Sequence, residues 1–247
     1  MGCNGKNMTT LQIRRVMKTL KARKYKVYTQ PYFLNIVGVR NNNTNPTKFD
    51  DKMYVFWKNN NNKWVGRQYS ITTDPSTKYL SKGGIGTYKG KKSTAILPTG
   101  QYLDTWKVGY HRGKYKALTQ SKDLCVYRDY DRNNIISFNI KDKDCGGFGI
   151  NIHKAKDGGA DDGQGTTKTI GSYSAGCQVF ANNGCFAEFM NLIQKQVDQY
   201  GTKYFTYTLL DKQLENKFRI KRIIFTTGIL VGIGIIGYGI YLKRKNK

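Results

Sequence analysis

The stretch IIFTTGILVGIGIIGYGIYL begins at Ile223, ends at Leu242 and carries no charged side chain over 20 residues. No water-soluble domain can leave such a segment on its surface. As an α-helix it has the length needed to cross the roughly 30 Å hydrocarbon core of a bilayer. Lys221 and Arg222 precede it, and Lys243, Arg244 and Lys245 follow it. Both flanks are basic, so the positive charges set no orientation. The expectation is a single-pass C-terminal transmembrane helix between a basic linker (212–222) and a basic tail (243–247). Gly228 and Gly232 form a GxxxG face on which two such helices can approach closely, as in a homodimer. The letters GIGIIG inside the run match a dinucleotide fingerprint. No strand precedes them and no acid follows, so nucleotide binding is excluded.

The net charge of +26 suggests a nucleic-acid partner, but its distribution argues against one. Residues 1–30 hold 8 Lys/Arg and no acid, and residues 212–247 hold 9 with a single acid, Glu215. The middle, 31–211, is left with +10, and it has neither a helical reading element nor an aromatic-basic motif. No nucleic-acid partner is expected. Within the basic N-terminal segment (1–30), Ile13, Val16, Met17 and Leu20 recur at helical spacing, with Arg14, Arg15, Lys18 and Lys21 on the other side. That pattern predicts an amphipathic helix over 9–23. Docking on the domain is its expected use, and an anionic membrane surface is the alternative. The first residues contain no apolar signal-peptide core. Met-Gly-Cys meets only part of the acylation pattern, because Lys6 stands where Ser or Thr is needed.

Between 31 and 211 the chain reads as one mainly β domain. Short runs rich in Tyr, Val, Ile, Phe and Thr are separated by Asn, Gly, Asp and Pro. Strands are predicted over 33–39, 53–57, 63–73, 86–90, 93–97, 106–111, 125–130, 136–140 and 204–210. The Asn run 59–62 reads as a hairpin loop. Phe186, Phe189, Met190, Ile193 and Val197 then mark a helix ending near Gly201. Five cysteines, no CxxC pair and two histidines exclude a structural zinc site. A disulfide framework is not expected at this chain length, and spacing alone does not suggest a Cys125–Cys145 bridge. DGGADDG (157–163) lacks the spacing of a calcium loop and reads as a mobile loop. No cofactor is implied.

Two segments carry chemistry. GINIHKA (149–155) ends a strand on His153, and SYSAGCQVF (172–180) places Cys177 after a turn of small residues. A thiol nucleophile needs a proton acceptor within hydrogen-bond reach, and a neutral histidine supplies one. Ser172 and Ser174 shape the turn. Backbone N–H groups of Gly176 and Cys177 are candidates to hold an oxyanion. His111 is a candidate substrate contact at the rim of the cleft.

These segments resemble the signature of YkuD-type L,D-transpeptidases. That signature is a strand-end histidine after isoleucine, a loop, then Ser-His-Gly-Cys. Ile152-His153 is similar to the first part, and Ser174, Gly176 and Cys177 to the second. TAILPTGQY (94–102) and YSITT (69–73) resemble the strands before them, so the resemblance spans roughly 65–210. It implies a β-sandwich with one or two helices, a Cys177 thioester formed with His153 as general base, and a peptidoglycan stem peptide as substrate. Ala175 replaces the second histidine of the motif. Gln178 and Val179 stand where an apolar residue and then Arg or Asn are usual. Lys154 follows His153 in place of Gly or Ser. The family's arginine, which helps hold a substrate carboxylate, is therefore missing from its place, and Lys154 or another nearby cation is the expected substitute, with Gln178 and Ser172 as further substrate contacts. A non-catalytic, membrane-anchored wall-binding module is the alternative reading.

Overall fold

The computed structural model describes residues 3, 5–82, 84, 86–137, 143–155 and 167–212. The expected transmembrane segment with its basic linker (from 213) and tail, and Asp157, Asp161 and Asp162, lie outside the described residues. Among the described residues no helix is long and apolar enough to cross a membrane. The described residues are mainly β, with 41% strand and 20% helix. In order it forms β1 (Lys6–Asn7), α1 (Thr10–Ala22), β2 (Asn35–Arg40), β3 (Asp51–Lys58), β4 (Trp64–Thr72), α2 (Thr77–Lys82), β5 (Gly86–Tyr88), β6 (Lys91–Ile96), β7 (Gly100–His111), β8 (Tyr115–Gln120), β9 (Leu124–Asp129), β10 (Lys143–Gly146), β11 (Ile152–Lys154), β12 (Gln178–Phe180), α3 (Asn183–Tyr200) and β13 (Phe205–Asp211).

The larger sheet runs β1-β4-β12-β11-β8-β7-β13-β2-β3, and β3 also pairs β4. Eight of its strands therefore form a closed ring, which removes the exposed edges an open sheet would carry. The mainly β class is as expected, and the larger of the two sheets closes on itself. The joint is β3, paired along its length to β2 on one side (Ile36↔Val55) and to β4 on the other (Val55↔Arg67). The Asn run closes the β3–β4 hairpin as expected, with Asn59 N donating to Lys63 O at 3.0 Å. A second sheet, β10-β9-β6-β5, stands beside the ring.

Strand alternation sends Ile36, Met53, Val55, Tyr207 and Leu209 into a core shared with Phe186, Phe189 and Ile193 of α3. The opposite face of the same strands, with Val37, Val39, Tyr54, Phe56 and Leu210, is covered by Ile13, Val16 and Leu20 of α1. The amphipathic helix thus docks on the domain, and its apolar stripe is used there. A capping box opens it: Thr9 Oγ1 accepts from Gln12 N, and Gln12 Oε1 accepts from Thr9 N at 2.8 Å. Helix α3 starts on Asn182, whose Oδ1 accepts from Cys185 N at 2.9 Å. It stops at Gly201, whose φ of 59° is the left-handed cap glycine permits.

Four cysteines are paired, as Cys3–Cys185 and Cys125–Cys145. This overturns the expectation that disulfides are absent as a framework, and the Cys125–Cys145 bridge, possible from the sequence though not suggested by its spacing, is formed. The β9–β10 register sets Cys125 directly opposite Cys145, a relation the sequence spacing does not display. Cys3 reaches the first turn of α3 across 182 residues of sequence and ties the N-terminal segment to the ring. Cys177 is left as the free cysteine of the chain. A thiol titration of the native protein should therefore find one reactive group per chain, and five after reduction in denaturant. More than one in the native protein would show that a disulfide is not formed.

Candidate active site

The cleft lies between the two sheets and has a volume of about 370 Å³. His111, His153 and Cys177 line it from the ring, Ser93 and Arg128 from the smaller sheet, and Ser172 and Ala175 from the turn before the cysteine. It is built around a three-residue parallel pairing of β11 with β12: Ile152↔Gln178, His153↔Val179, Lys154↔Phe180. Parallel partners project to the same face, and neighbours along a strand project to opposite faces. His153 and Cys177, two residues before Val179, accordingly reach the cleft.

The same alternation sends Lys154 and Gln178 to the core. Lys154 is 3% exposed and its Nζ stands 4.8 Å over the Tyr115 ring. Gln178 is fully buried, with its Oε1 accepting from Tyr207 Oη at 2.7 Å. Neither lines the cleft, so their expected roles as substrate contacts are corrected. Sitting next to a site residue in a strand places a side chain away from the site. Ser172 and His111 do line the cleft, as expected.

Three groups hold the histidine. His153 Nδ1 donates to Lys154 O at 2.7 Å, and Tyr115 Oη donates to the same carbonyl at 3.3 Å. That bond fixes the proton on Nδ1 and leaves Nε2 with a lone pair. On the other side the His111 ring stacks on His153, centroids 3.9 Å apart and 16° from parallel. Asn151 Nδ2 donates to His111 Nδ1 at 3.1 Å.

The cysteine is fixed by its turn. Ser174 Oγ donates to Cys177 O at 2.9 Å and accepts from Gly176 N at 3.2 Å. Ser174 therefore shapes the turn as expected, whereas the Gly176 N–H is occupied and does not face an oxyanion. The Cys177 N–H has no acceptor among the described residues and is the donor that remains. Gly176 has φ 123°, and a Cβ there would collide with Ala95 O, so only glycine lets the turn pass against β6. The thiol donates to Gly149 O and accepts from Asn151 N, both at 3.5 Å.

Asn151 was not singled out in the sequence. Its side chain and backbone touch His111, Cys177, Gln120 N (3.0 Å) and Gln178 N (2.9 Å). Gln120 holds the wall that carries it, with Oε1 accepting from Phe148 N and Ile150 N and Nε2 donating to Gly146 O. These groups come from separate strands, and nothing in the local text marks them. Among the described residues no group of three or more His, Cys, Asp or Glu is placed to hold a metal ion.

Burial, then the nearby His111 and Arg112, hold His153 down to about 3, opposed by its bond to Lys154. Burial pushes the Cys177 thiol above its ordinary value, opposed by Asn151 N–H and Arg112. The resting groups are a neutral thiol and a neutral imidazole that line one cleft. Alkylation of Cys177 by iodoacetamide should therefore rise with pH to a midpoint above about 8.5. A plateau already reached below pH 7 would show a thiolate–imidazolium pair instead. The unfolded chain binds a proton on His153 near pH 6.5 and the folded chain does not. Folding stability contributed by this group is thus full above about 6.5 and falls as pH drops toward about 3. Thermal melts of the wild type and His153→Gln should diverge in this window, with the wild type losing more stability on acidification. Parallel slopes would place His153 in a solvated position. Set against known proteins, the chain matches no family model, no curated protein and no solved structure.

Proposed function

We propose that the chain is a membrane-anchored cysteine acyltransferase or peptidase of L,D-transpeptidase-like chemistry, acting on peptidoglycan stem peptides. The observation that carries this reading is the His153 Nδ1–Lys154 O bond in a cleft shared with the free thiol. A histidine oriented by an acceptor at one nitrogen and open at the other is built to take and return a proton. The acceptor is a backbone carbonyl, so lysine in place of Gly or Ser after the histidine leaves it intact.

The reaction proceeds in two halves. His153 Nε2 takes the thiol proton as Cys177 Sγ bonds to the acyl carbon. The Cys177 N–H faces the oxygen as it gains charge, a contribution of roughly 3–4 kcal/mol for one well-placed donor. The C–N bond then breaks, the imidazolium proton goes to the leaving amine, and a thioester remains on Cys177. The Lys154 carbonyl stabilises the imidazolium between these steps. An amine or water, deprotonated by His153, then attacks the thioester and frees the thiol. Attack by an amine makes a cross-link, and attack by water cuts the peptide.

The test is mass spectrometry of defined muropeptides, with diaminopimelate and lysine stems, incubated with the full chain. Cys177→Ala should abolish the mass change, and Cys177→Ser should leave about 1% or less, since a hydroxyl yields its proton far less readily than a thiol. His153→Ala should lower the rate by about 10²–10⁴-fold with the fold retained. Unchanged muropeptides from folded wild-type protein would leave a wall-binding module as the reading.

A further inference from the structure

The cleft wall opposite Cys177 contains a cation that the reaction steps above do not use. Arg128, on β9, is 7% exposed. Its Nε and Nη2 both donate to a single oxygen, Asp144 Oδ2, at 2.9 and 2.7 Å. The Phe148 ring lies 4.6 Å from its Cζ and holds the guanidinium in place. Asp144 therefore occupies one edge of the fork. Nη1 donates to no acceptor among the described residues and stands 3.5 Å from where a Cβ on Gly86, another cleft residue, would be. The missing side chain at Gly86 leaves that edge room.

A guanidinium edge that no described residue fills can take an anion by charge-assisted hydrogen bonds, and its planar geometry suits a carboxylate. The surroundings agree. Arg112 also lines the cleft, and no Asp or Glu is among its lining residues that are described.

We infer that Arg128 is a substrate-binding residue that receives a carboxylate of the acyl substrate while the neighbouring carbonyl lies at Cys177. This deepens the acyl-transfer reading and rests on Cys177 being its reacting centre. It restricts the substrate class to acyl donors that carry a free carboxylate close to the reacting bond. Lys154, turned into the core, does not share that role.

The experiment compares two alkylating reagents of similar size on the full chain, anionic iodoacetate and neutral iodoacetamide. The rate ratio at Cys177 should exceed that of the neutral model thiol N-acetylcysteinamide by about tenfold or more, the effect of one charge-assisted hydrogen bond. Acetate should protect Cys177 from iodoacetamide. Arg128→Met combined with Asp144→Asn removes the cation without stranding its partner, and should return the ratio to that of the model thiol. A wild-type ratio equal to the model thiol's, absence of acetate protection, or an unchanged ratio in the folded double variant would each overturn the subsite. Failure of both reagents to label Cys177 would overturn it as well, by showing the cleft closed. Should the double variant not fold, the wild-type ratio and acetate protection decide alone. Stem peptides left unprocessed by a protein with the anionic preference would sink the stem-peptide reading and leave the subsite. Processing with a flat ratio would do the reverse.

Discussion

Three residues of parallel pairing between β11 and β12 hold the candidate site together. A parallel pair cannot be closed by a tight turn and needs a long connection. Residues 155–177 provide it, and they carry the cysteine back to the histidine with both side chains on one face. Such a short ladder would not be stable alone. It is fixed from outside, by β8 next to β11 and by β4 next to β12. Their place inside the larger sheet is therefore part of the site, because it leaves neither short strand on an edge.

Buried polar contacts under the turn keep it in place. Ser76 N donates to Ser174 O at 2.9 Å, and Tyr207 Oη reaches Gln178 beside the nucleophile. The Tyr207 hydroxyl occupies the space that a side chain at Gly38 would fill, so a glycine in the middle of β2 supports a residue far away in sequence. At the end of β4, Arg40 Nε lies 2.7 Å from Asp74 Oδ1, and Arg40 also donates to Thr73 O. Asp51 accepts from Asn41 N, Thr73 N and Thr73 Oγ1. Leaving one such buried charge without its partner typically costs about 3–5 kcal/mol. The network holds the ends of β2, β3 and β4 in one register, next to the segment that meets the cysteine turn.

The electrostatics of the cleft suit a reaction that starts from neutral groups. His153 is kept uncharged by burial and by a second ring stacked on it. In the proposed reaction, proton transfer from the thiol accompanies attack on the substrate. The same burial that raises Cys177 strengthens any charge–charge contact formed inside the cleft. The excess of Lys and Arg over the domain favours encounter with anionic polymers.

Much of the fold was legible because local rules govern it. Apolar spacing placed α1 and α3 nearly to their ends, Gly201 included, and alternation found β2, β3, β4, β7, β9 and β13. The strands around the site were harder. β8 reads YKALTQ, and β11 and β12 have only three residues each, too few to show a period. The text around His153 and Cys177 was enough to name both as candidates, since a thiol after a small-residue turn and a histidine at a strand end carry their chemistry in their own neighbourhoods. The roles given to Lys154 and Gln178 failed because adjacency in sequence is opposition across a strand. Asn151, Gln120 and Arg128 were silent: each matters through what β8, β9 and the 146–151 loop bring to it. The disulfides were silent for the same reason, being set by register and by a helix start 182 residues from Cys3. Sequence alone determined the candidate pair and the mainly β domain that carries it. Tertiary structure decided which groups surround the pair, because strand register and ring closure are collective properties that no single stretch of residues encodes.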